Sequence, residues 1–426
     1  MSIQQLAFCG TASLDPPSSS HSASRFGSWG GLRIMAISHR ISLGAGAPGS
    51  DGLCKCWIIA GEGQMGWMKR WKVSEMTSGR KRRAEATQAD GNMGRPMAEN
   101  LAKHLSEQSL PPLLVWNRSS AKLPESSASV KHADSLAAAA QADVVITSLA
   151  NDEAAKEVYA ELFKAAKEKK HAEGGKATIF VDTSTLYPTT SGELEREATK
   201  LGLVYLAAPV FGPPPAAKSA QLVFVLSGDP FAKKKILPFL VPSMGRKSID
   251  VGSNVERAAS FKLIGNGMII GVIELLAEGM TLADKSGVGA DLLYDWVKEF
   301  LPAPSFVGYG AKILNNEFDG GRGFTLTGGL KDATHIRRLA SEHGATMPAL
   351  DAAHRHLVTA KANGGSDLDW SSLVAGPRLA AGLQPWTGRK EHPQDTGFGY
   401  KDKDPDPKAS LEPQPSGGVK EVRNFD

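Results

Sequence analysis

Between residues 113 and 251 the chain alternates short apolar runs with helix-forming stretches, and beyond residue 251 no strand-like run recurs. That break constrains the fold more than any other feature. Residues 113–116, 144–149, 177–181, 204–208, 221–226 and 247–251 read as strands. Residues 153–170, 190–201 and 230–240 read as helices, and Asp134 stands where it can cap a short alanine-rich helix to Gln141. Regular alternation of this kind predicts an α/β, Rossmann-type doubly wound parallel sheet, with ligands at the carboxyl ends of its strands. Residues 258–287 then read as one long interdomain helix. Residues 290–300, 309–315, 330–343, 347–363 and 370–380 read as further helices, which predicts an all-α C-terminal domain.

The long helix carries an unusual polar pair. Lys262 and Asn266 are four residues apart and share a face, about 6 Å from each other. Their neighbours Leu263, Ile264, Met268, Ile269, Ile270 and Val272 are apolar. A lysine held among such side chains is desolvated, which lowers its pKa toward the range of proton transfer. The alternative is structural: Lys262 snorkels to water and Asn266 bonds nearby backbone.

A glycine-rich turn appears twice, each time incomplete. Residues 57–60 read as a strand and run into a formal G-x-G-x-x-G at 61–66, but residues 67–90 are polar, basic and aperiodic. The second copy has Gly91, Asn92, Met93 and Gly94, followed by an amphipathic helix with Met93, Met97, Leu101 and Leu105 on one face. Residues 82–88 before it do not read as a buried strand. One strand–turn–helix unit is therefore divided by an insert of about 62–90, whether a retained intron, a gene-model error or an extra loop. The motif needs strand, turn and helix together to bind a pyrophosphate. At the end of the second strand, Asn117 and Arg118 stand where a ribose is met. An arginine there suits the 2′-phosphate of NADP, with NAD as the other cofactor to consider. A surface arginine in a turn is the plain alternative.

Composition excludes several classes. Net charge is +4, and no basic stripe is interleaved with aromatics, so no nucleic-acid partner is expected. The basic run at 79–83 reads as a localisation signal or as an accidental charge run. All three cysteines, Cys9, Cys54 and Cys56, precede the body of the chain, so no disulfide framework is expected there. No metal site is expected: the cysteines lack a second ligand pair, and His354 and His356 are two apart on a helix. No membrane span is expected, because Glu274 and Glu278 interrupt the longest apolar stretch, 268–280. Residues 1–53 read as a disordered or transit-like extension, which leaves a cytoplasmic or a mitochondrial location. Residues 54–255 are then the dinucleotide-binding domain and 256–386 the long helix with the all-α domain. Residues 387–426 read as a disordered tail.

Five ordered motifs together resemble the β-hydroxyacid dehydrogenase family, which includes 3-hydroxyisobutyrate dehydrogenase and glyoxylate/succinic semialdehyde reductase. They are the glycine turn at 91–97, Asp182-Thr183-Ser184-Thr185-Leu186-Tyr187-Pro188, Ala208-Pro209-Val210-Phe211-Gly212, the Lys262/Asn266 pair, and Lys331-Asp332 after Phe324. The first part is similar to the NAD-binding domain of 6-phosphogluconate dehydrogenase. The resemblance implies hydride transfer between NADP or NAD and a small β-hydroxyacid or semialdehyde. It makes Lys262 the general acid/base and Asn266 the residue that holds its geometry. It implies a cofactor site of Gly91, Asn92, Met93, Gly94, Asn117, Arg118, Leu149, Asn151, Thr185 and Lys331, and a substrate site of Ser184, Phe211 and Gly212. A homodimer or homotetramer is implied too. The chain departs from the family pattern at Ala207, Phe211 and Pro213. Phe211 adds bulk and removes a hydroxyl, and Pro213 removes an amide donor. A larger or less acidic substrate than hydroxyisobutyrate is the expected consequence. The competing reading is a non-catalytic binding protein, with cofactor affinity lost through the divided turn.

Overall fold

A computed structural model describes residues 56–61, 93–119, 123–172 and 177–386. The extension 1–53, the insert about 62–90, the residues Gly91 and Asn92, and the tail 387–426 lie outside the described residues.

Among the described residues there are nine strands: β1 (Cys56–Gly61), β2 (Leu113–Asn117), β3 (Val130–His132), β4 (Val144–Leu149), β5 (Ile179–Asp182), β6 (Val204–Ala207), β7 (Val210–Phe211), β8 (Leu222–Gly228) and β9 (Gly245–Asp250). Six of them run parallel in the order β3-β2-β1-β4-β5-β6. β8 then pairs antiparallel with both β6 and β7, and parallel with β9. The expectation of a parallel sheet thus holds only as far as β6. Between β6 and β8 the chain makes β7 and the five-residue helix α5 (Pro214–Lys218). That is too little for the full helical crossover a parallel return requires.

Helices cover both faces of the sheet, and the strand residues alternate between the two layers as the pleat dictates. Val144, Ile146, Ile179, Val181 and Leu206 face one core, with Met97, Leu101 and Leu105 of α1 (Gly94–Glu107) and Ile236 of α6 (Pro230–Leu240). Val145, Phe180, Tyr205 and Ala207 face the other. There they meet α2 (Leu136–Ala139), α3 (Asp152–Ala172) and α4 (Pro188–Lys200). Two details differ from the sequence reading. The cap of α2 is Ser135, whose hydroxyl accepts from the Ala138 amide at 3.0 Å, not Asp134. Phe211 lies in a strand, β7, that the strands read from the sequence do not include.

The long helix α7 (Val255–Ser286) starts at Asn254, whose side chain accepts from the Glu256 amide at 2.9 Å. It stops at Gly287, whose φ of 81° is a left-handed conformation that glycine adopts at no steric cost. Val255 and Ala258 belong to the second sheet core, whereas Leu263, Ile270, Ile273 and Met280 centre a third core. That core is completed by α8 (Ala290–Phe300), α9 (Pro304–Asn315), α10 (Leu326–Glu342), α11 (Pro348–Ala362), a 3₁₀ segment (Trp370–Val374) and α12 (Ala375–Ala380). By length and composition alone α7 is apolar enough to cross a membrane, so Glu274 and Glu278 do not interrupt it as expected. Its inner face is packed by α9, α10 and α11, as in the core helix of a folded domain.

Candidate active site

The parallel strands put the carboxyl ends of β1, β2, β4 and β5 along one edge of the sheet. β1 lies between β2 and β4, so chain order reverses at this point, where doubly wound sheets leave a crevice outside the strand ends. The loops after β4 and β5 line it, and α10 is laid across them.

Lys262 and Asn266 are on the buried face of α7, 8% and 6% exposed. Lys262 Nζ donates to Asn266 Oδ1 at 2.9 Å, and Asn266 Nδ2 donates to Asp332 Oδ2 at 2.7 Å. The amide orientation follows from its partners: oxygen toward the ammonium, nitrogen toward the carboxylate. Asp332 is fully buried and forms an ion pair with Lys331, Nζ to Oδ1 3.1 Å. Lys331 Nζ also donates to the carbonyls of Thr185 (2.7 Å) and Ala150 (3.2 Å). One polar chain therefore runs from α7 through α10 to the loops at the sheet edge. Snorkelling is excluded for Lys262, whose ammonium is enclosed. Burial pulls its pKa down to about 8; the Asp332 charge opposes that fall and the Lys331 charge adds to it.

Phe211 closes the other side of Lys262, with Nζ 4.2 Å from the ring centroid. Gly212 follows with a φ of 134°, where an added Cβ would press on Leu222. Ser184 is less available than the resemblance implies. Its hydroxyl accepts from the Leu149 amide at 2.7 Å, and its amide donates to Asp182 Oδ1 at 2.9 Å. Asp182, fully enclosed, also accepts from Tyr205 (3.0 Å). Burial raises its pKa against the pull of these hydrogen bonds.

The remaining described residues named from the sequence stand at the ends of strands and helices. Met93 precedes α1, and Gly94 opens it. Asn117 ends β2, and Arg118 beyond it pairs with Glu157 of α3 at 3.3 Å, both about half exposed. Such a pair contributes little stability and leaves the guanidinium free to change partner. Leu149 ends β4, and Asn151 Oδ1 caps α3 by accepting from the Ala154 amide at 2.9 Å.

Sequence reasoning missed a second polar contact between α10 and the same loops. Asp152 accepts from the Tyr187 amide (2.8 Å) and is bonded to His335 Nε2 (2.9 Å). Burial works to raise the Asp152 pKa, but hydrogen bonds from His335, Thr190 and the Tyr187 amide outweigh it and hold the carboxyl well below its usual range. Tyr187 in turn donates to Glu342 at 2.5 Å and lies under Arg338, whose guanidinium is 4.0 Å from its ring centroid. Burial and the Glu342 contact push its hydroxyl up to about 12. Lys331, His335, Arg338 and Glu342 recur every three or four residues, the spacing of one helix face. That periodicity was the available signal, but their partners lie far away in sequence.

Residues 90–252 match the family of the NAD-binding domain of 6-phosphogluconate dehydrogenase. Residues 257–376 match the family described as the NAD-binding part of NADP-dependent 3-hydroxyisobutyrate dehydrogenase. A probable 3-hydroxyisobutyrate dehydrogenase of Mycobacterium tuberculosis is 31% identical over 298 residues, 67% of this chain and 94% of that protein. An NADH-dependent oxidoreductase of Aspergillus ustus is 28% identical over 296 residues, 68% of this chain and 98% of that protein. In fold, the chain is similar to the crystal structure of a 3-hydroxyisobutyrate dehydrogenase from Salmonella typhimurium. The TM-score is 0.57 at 18% identity, over 75% of this chain and 99% of that one.

Proposed function

The chain belongs to the β-hydroxyacid dehydrogenase family, and we propose that it is an NADP-preferring oxidoreductase acting on a small β-hydroxyacid or its semialdehyde. The observation that carries this reading is the enclosed Lys262, joined through Asn266 and Asp332 to the loops at the strand ends. Its pKa of about 8 leaves an appreciable neutral fraction near neutral pH. Such a group takes a hydroxyl proton during oxidation and returns one during reduction. Asn266 holds the ammonium in place by accepting one of its hydrogens, and Asp332 fixes the amide.

The crevice suits a dinucleotide by its chemistry. The start of α1 gives backbone amides beside the small Gly94, and Arg118 offers a half-exposed guanidinium at the end of β2. Met93, Gly94, Asn117, Arg118, Leu149, Asn151, Thr185 and Lys331 would hold the cofactor, with Gly91 and Asn92 joining from outside the described residues. A bound nicotinamide supplies or accepts the hydride. Arg118 supports NADP over NAD, while the similar NADH-dependent oxidoreductase keeps the question experimental. Ser184 and Gly212 would meet a substrate carboxylate once the Ser184 hydroxyl turns from the Leu149 amide.

Steady-state reduction of 3-oxo acids by purified full-length protein, with NADPH and with NADH, tests this reading. Turnover is expected with NADPH and is lost in Lys262→Ala, with NADPH affinity nearly unchanged. Turnover retained in that variant removes Lys262 from the mechanism. Arg118→Asp is expected to raise KM for NADPH about tenfold and to favour NADH. A second reading, a binding protein without catalysis, is favoured by one observation: residues 62–93 separate β1 from α1 in the chain. No fluorescence change and no thermal shift on titration with NADPH would favour it.

Association of copies is proposed for the outer face of α7. Phe261, Met268, Leu275 and Leu282, seven residues apart, are exposed there with Ile264. Phe261 at its start meets Phe211 of the same chain, and the stripe from Met268 onward is coiled-coil-like and exposed among the described residues. Light scattering should give a dimer or tetramer, and Met268→Glu a monomer.

A further inference from the structure

Phe211 is held by its strand and by two contacts with α7. Its backbone is fixed in β7, paired with Val223 of β8. Its ring rests on Gly265, where an added Cβ would lie 2.4 Å from Cζ and 2.7 Å from Cε1. Phe261 packs edge-on against it, centroids 6.2 Å apart at 71°. Gly265 is thus a recess in the helix surface that this ring fills, and any side chain there would displace it.

The ring face then meets the Lys262 ammonium at 4.2 Å, while Asn266 Oδ1 takes another direction at 2.9 Å. An ammonium has three N–H directions, so one remains for a substrate oxygen. An oxygen bound in that sector brings its carbon, and the groups on that carbon, beside the ring. The ring has no hydrogen-bond donor, and its face carries a partial negative charge. A carboxylate pressed against it would lose water and gain no hydrogen bond from the ring. An alkyl or aryl group would lose only its contact with water.

We propose that Phe211, seated in the Gly265 recess, is the specificity-determining wall of this site. It selects carbonyl substrates with an apolar alkyl or aryl group beside the reacting carbon over those with a carboxylate or hydrogen there. The inference rests on the oxidoreductase reading above and goes beyond it by naming which part of the substrate faces Lys262.

The test is a series of 3-oxopropanoates carrying hydrogen, methyl, propyl or benzyl at C2, with glyoxylate as the directly carboxylated member. The probe is NADPH oxidation by the full-length protein. In the wild type, kcat/KM is expected to rise at least about tenfold from hydrogen to propyl, with glyoxylate lowest. In Phe211→Ser, which removes the wall, and in Gly265→Ala, which displaces it, that ratio is expected to collapse toward one. A flat series in the wild type, or a preserved rise in both variants, overturns the inference. If no member turns over, the oxidoreductase reading fails. Calorimetry with the matching 2-substituted 3-hydroxypropanoates then still decides the wall. Affinity rising with the apolar group and levelled by either variant supports it, and affinity independent of that group overturns it.

Discussion

Two ionisable side chains are buried on the inner face of α7, Lys262 near its start and Glu274 about three turns further on. Burial pushes both toward neutrality, the lysine down to about 8 and the glutamate above its ordinary value. Their surroundings differ. Lys262 is one end of a polar chain that continues through Asn266 and Asp332 to Lys331 and the sheet-edge loops. Glu274 meets His356 of α11 at 2.6 Å, and among the described residues its second oxygen has no hydrogen-bond partner. Burial alone therefore does not single out the group proposed to be functional. The difference lies in whether its partners lead to a place where a ligand can be held.

Replacing Lys262 should separate the two groups most strongly. Lys262→Met is expected to lower kcat at least about a thousandfold. It should also stabilise the protein by about 2 kcal/mol at pH 7, measured by urea denaturation, because a disfavoured buried charge is removed. The folded lysine loses its proton near pH 8 and the unfolded one near 10.5. Between these values the unfolded chain binds more protons, so wild-type stability rises with pH and the gap to the variant closes. A gap that does not narrow from pH 8 to 10.5 would mean that Lys262 titrates normally.

Asp332 should matter less, through the lysine. Its charge opposes the fall in the Lys262 pKa, so Asp332→Asn is expected to shift the pH profile of the oxidation reaction toward lower pH. The wild-type rate should climb through about pH 8 as Lys262 becomes neutral. With the charge-assisted hold on the Asn266 amide weakened, kcat/KM should also drop about tenfold. An unshifted profile would restrict Asp332 to a packing role.

The smallest effect is expected at Glu274. Glu274→Gln should leave kcat/KM within about twofold and change stability by no more than about 1 kcal/mol at low pH. Here the slope has the opposite sign. The folded pKa is raised above 4.5, so wild-type stability relative to the variant falls as pH rises through that raised value. Denaturation curves for both proteins from pH 4 to 8 measure it. A large loss of turnover would bring Glu274 into the site after all.

Much of this arrangement is legible in the sequence because it depends on local period. The strands β4 and β8, the helix α6 and the break before α7 follow from apolar runs and their spacing. The Lys262/Asn266 pair stands out because two polar side chains one turn apart interrupt an apolar stretch. What escaped is what depends on pairing across distance. β3 has one buried residue, Val130, and β7 has two residues in all, so neither leaves a pattern. The antiparallel turn of β8 is invisible because an apolar run looks alike in either direction. Asp332 is recognisable only as a neighbour of Lys331. Its bond to Asn266 spans 66 positions and exists only when α10 lies against α7. Ser184 is legible as a motif, but its hydrogen bond to the Leu149 amide is not.

The first turn of α7 is embedded beneath the sheet, while the rest forms the axis of the helical core. One continuous hydrogen-bonded rod is thereby common property of the second sheet core and the helical core. Melting the sheet strips packing from the helix that organises the other half, and the reverse holds equally. The two halves should therefore lose structure in a single cooperative transition in calorimetry. The amides in the first half of α7 should exchange with solvent only through global unfolding.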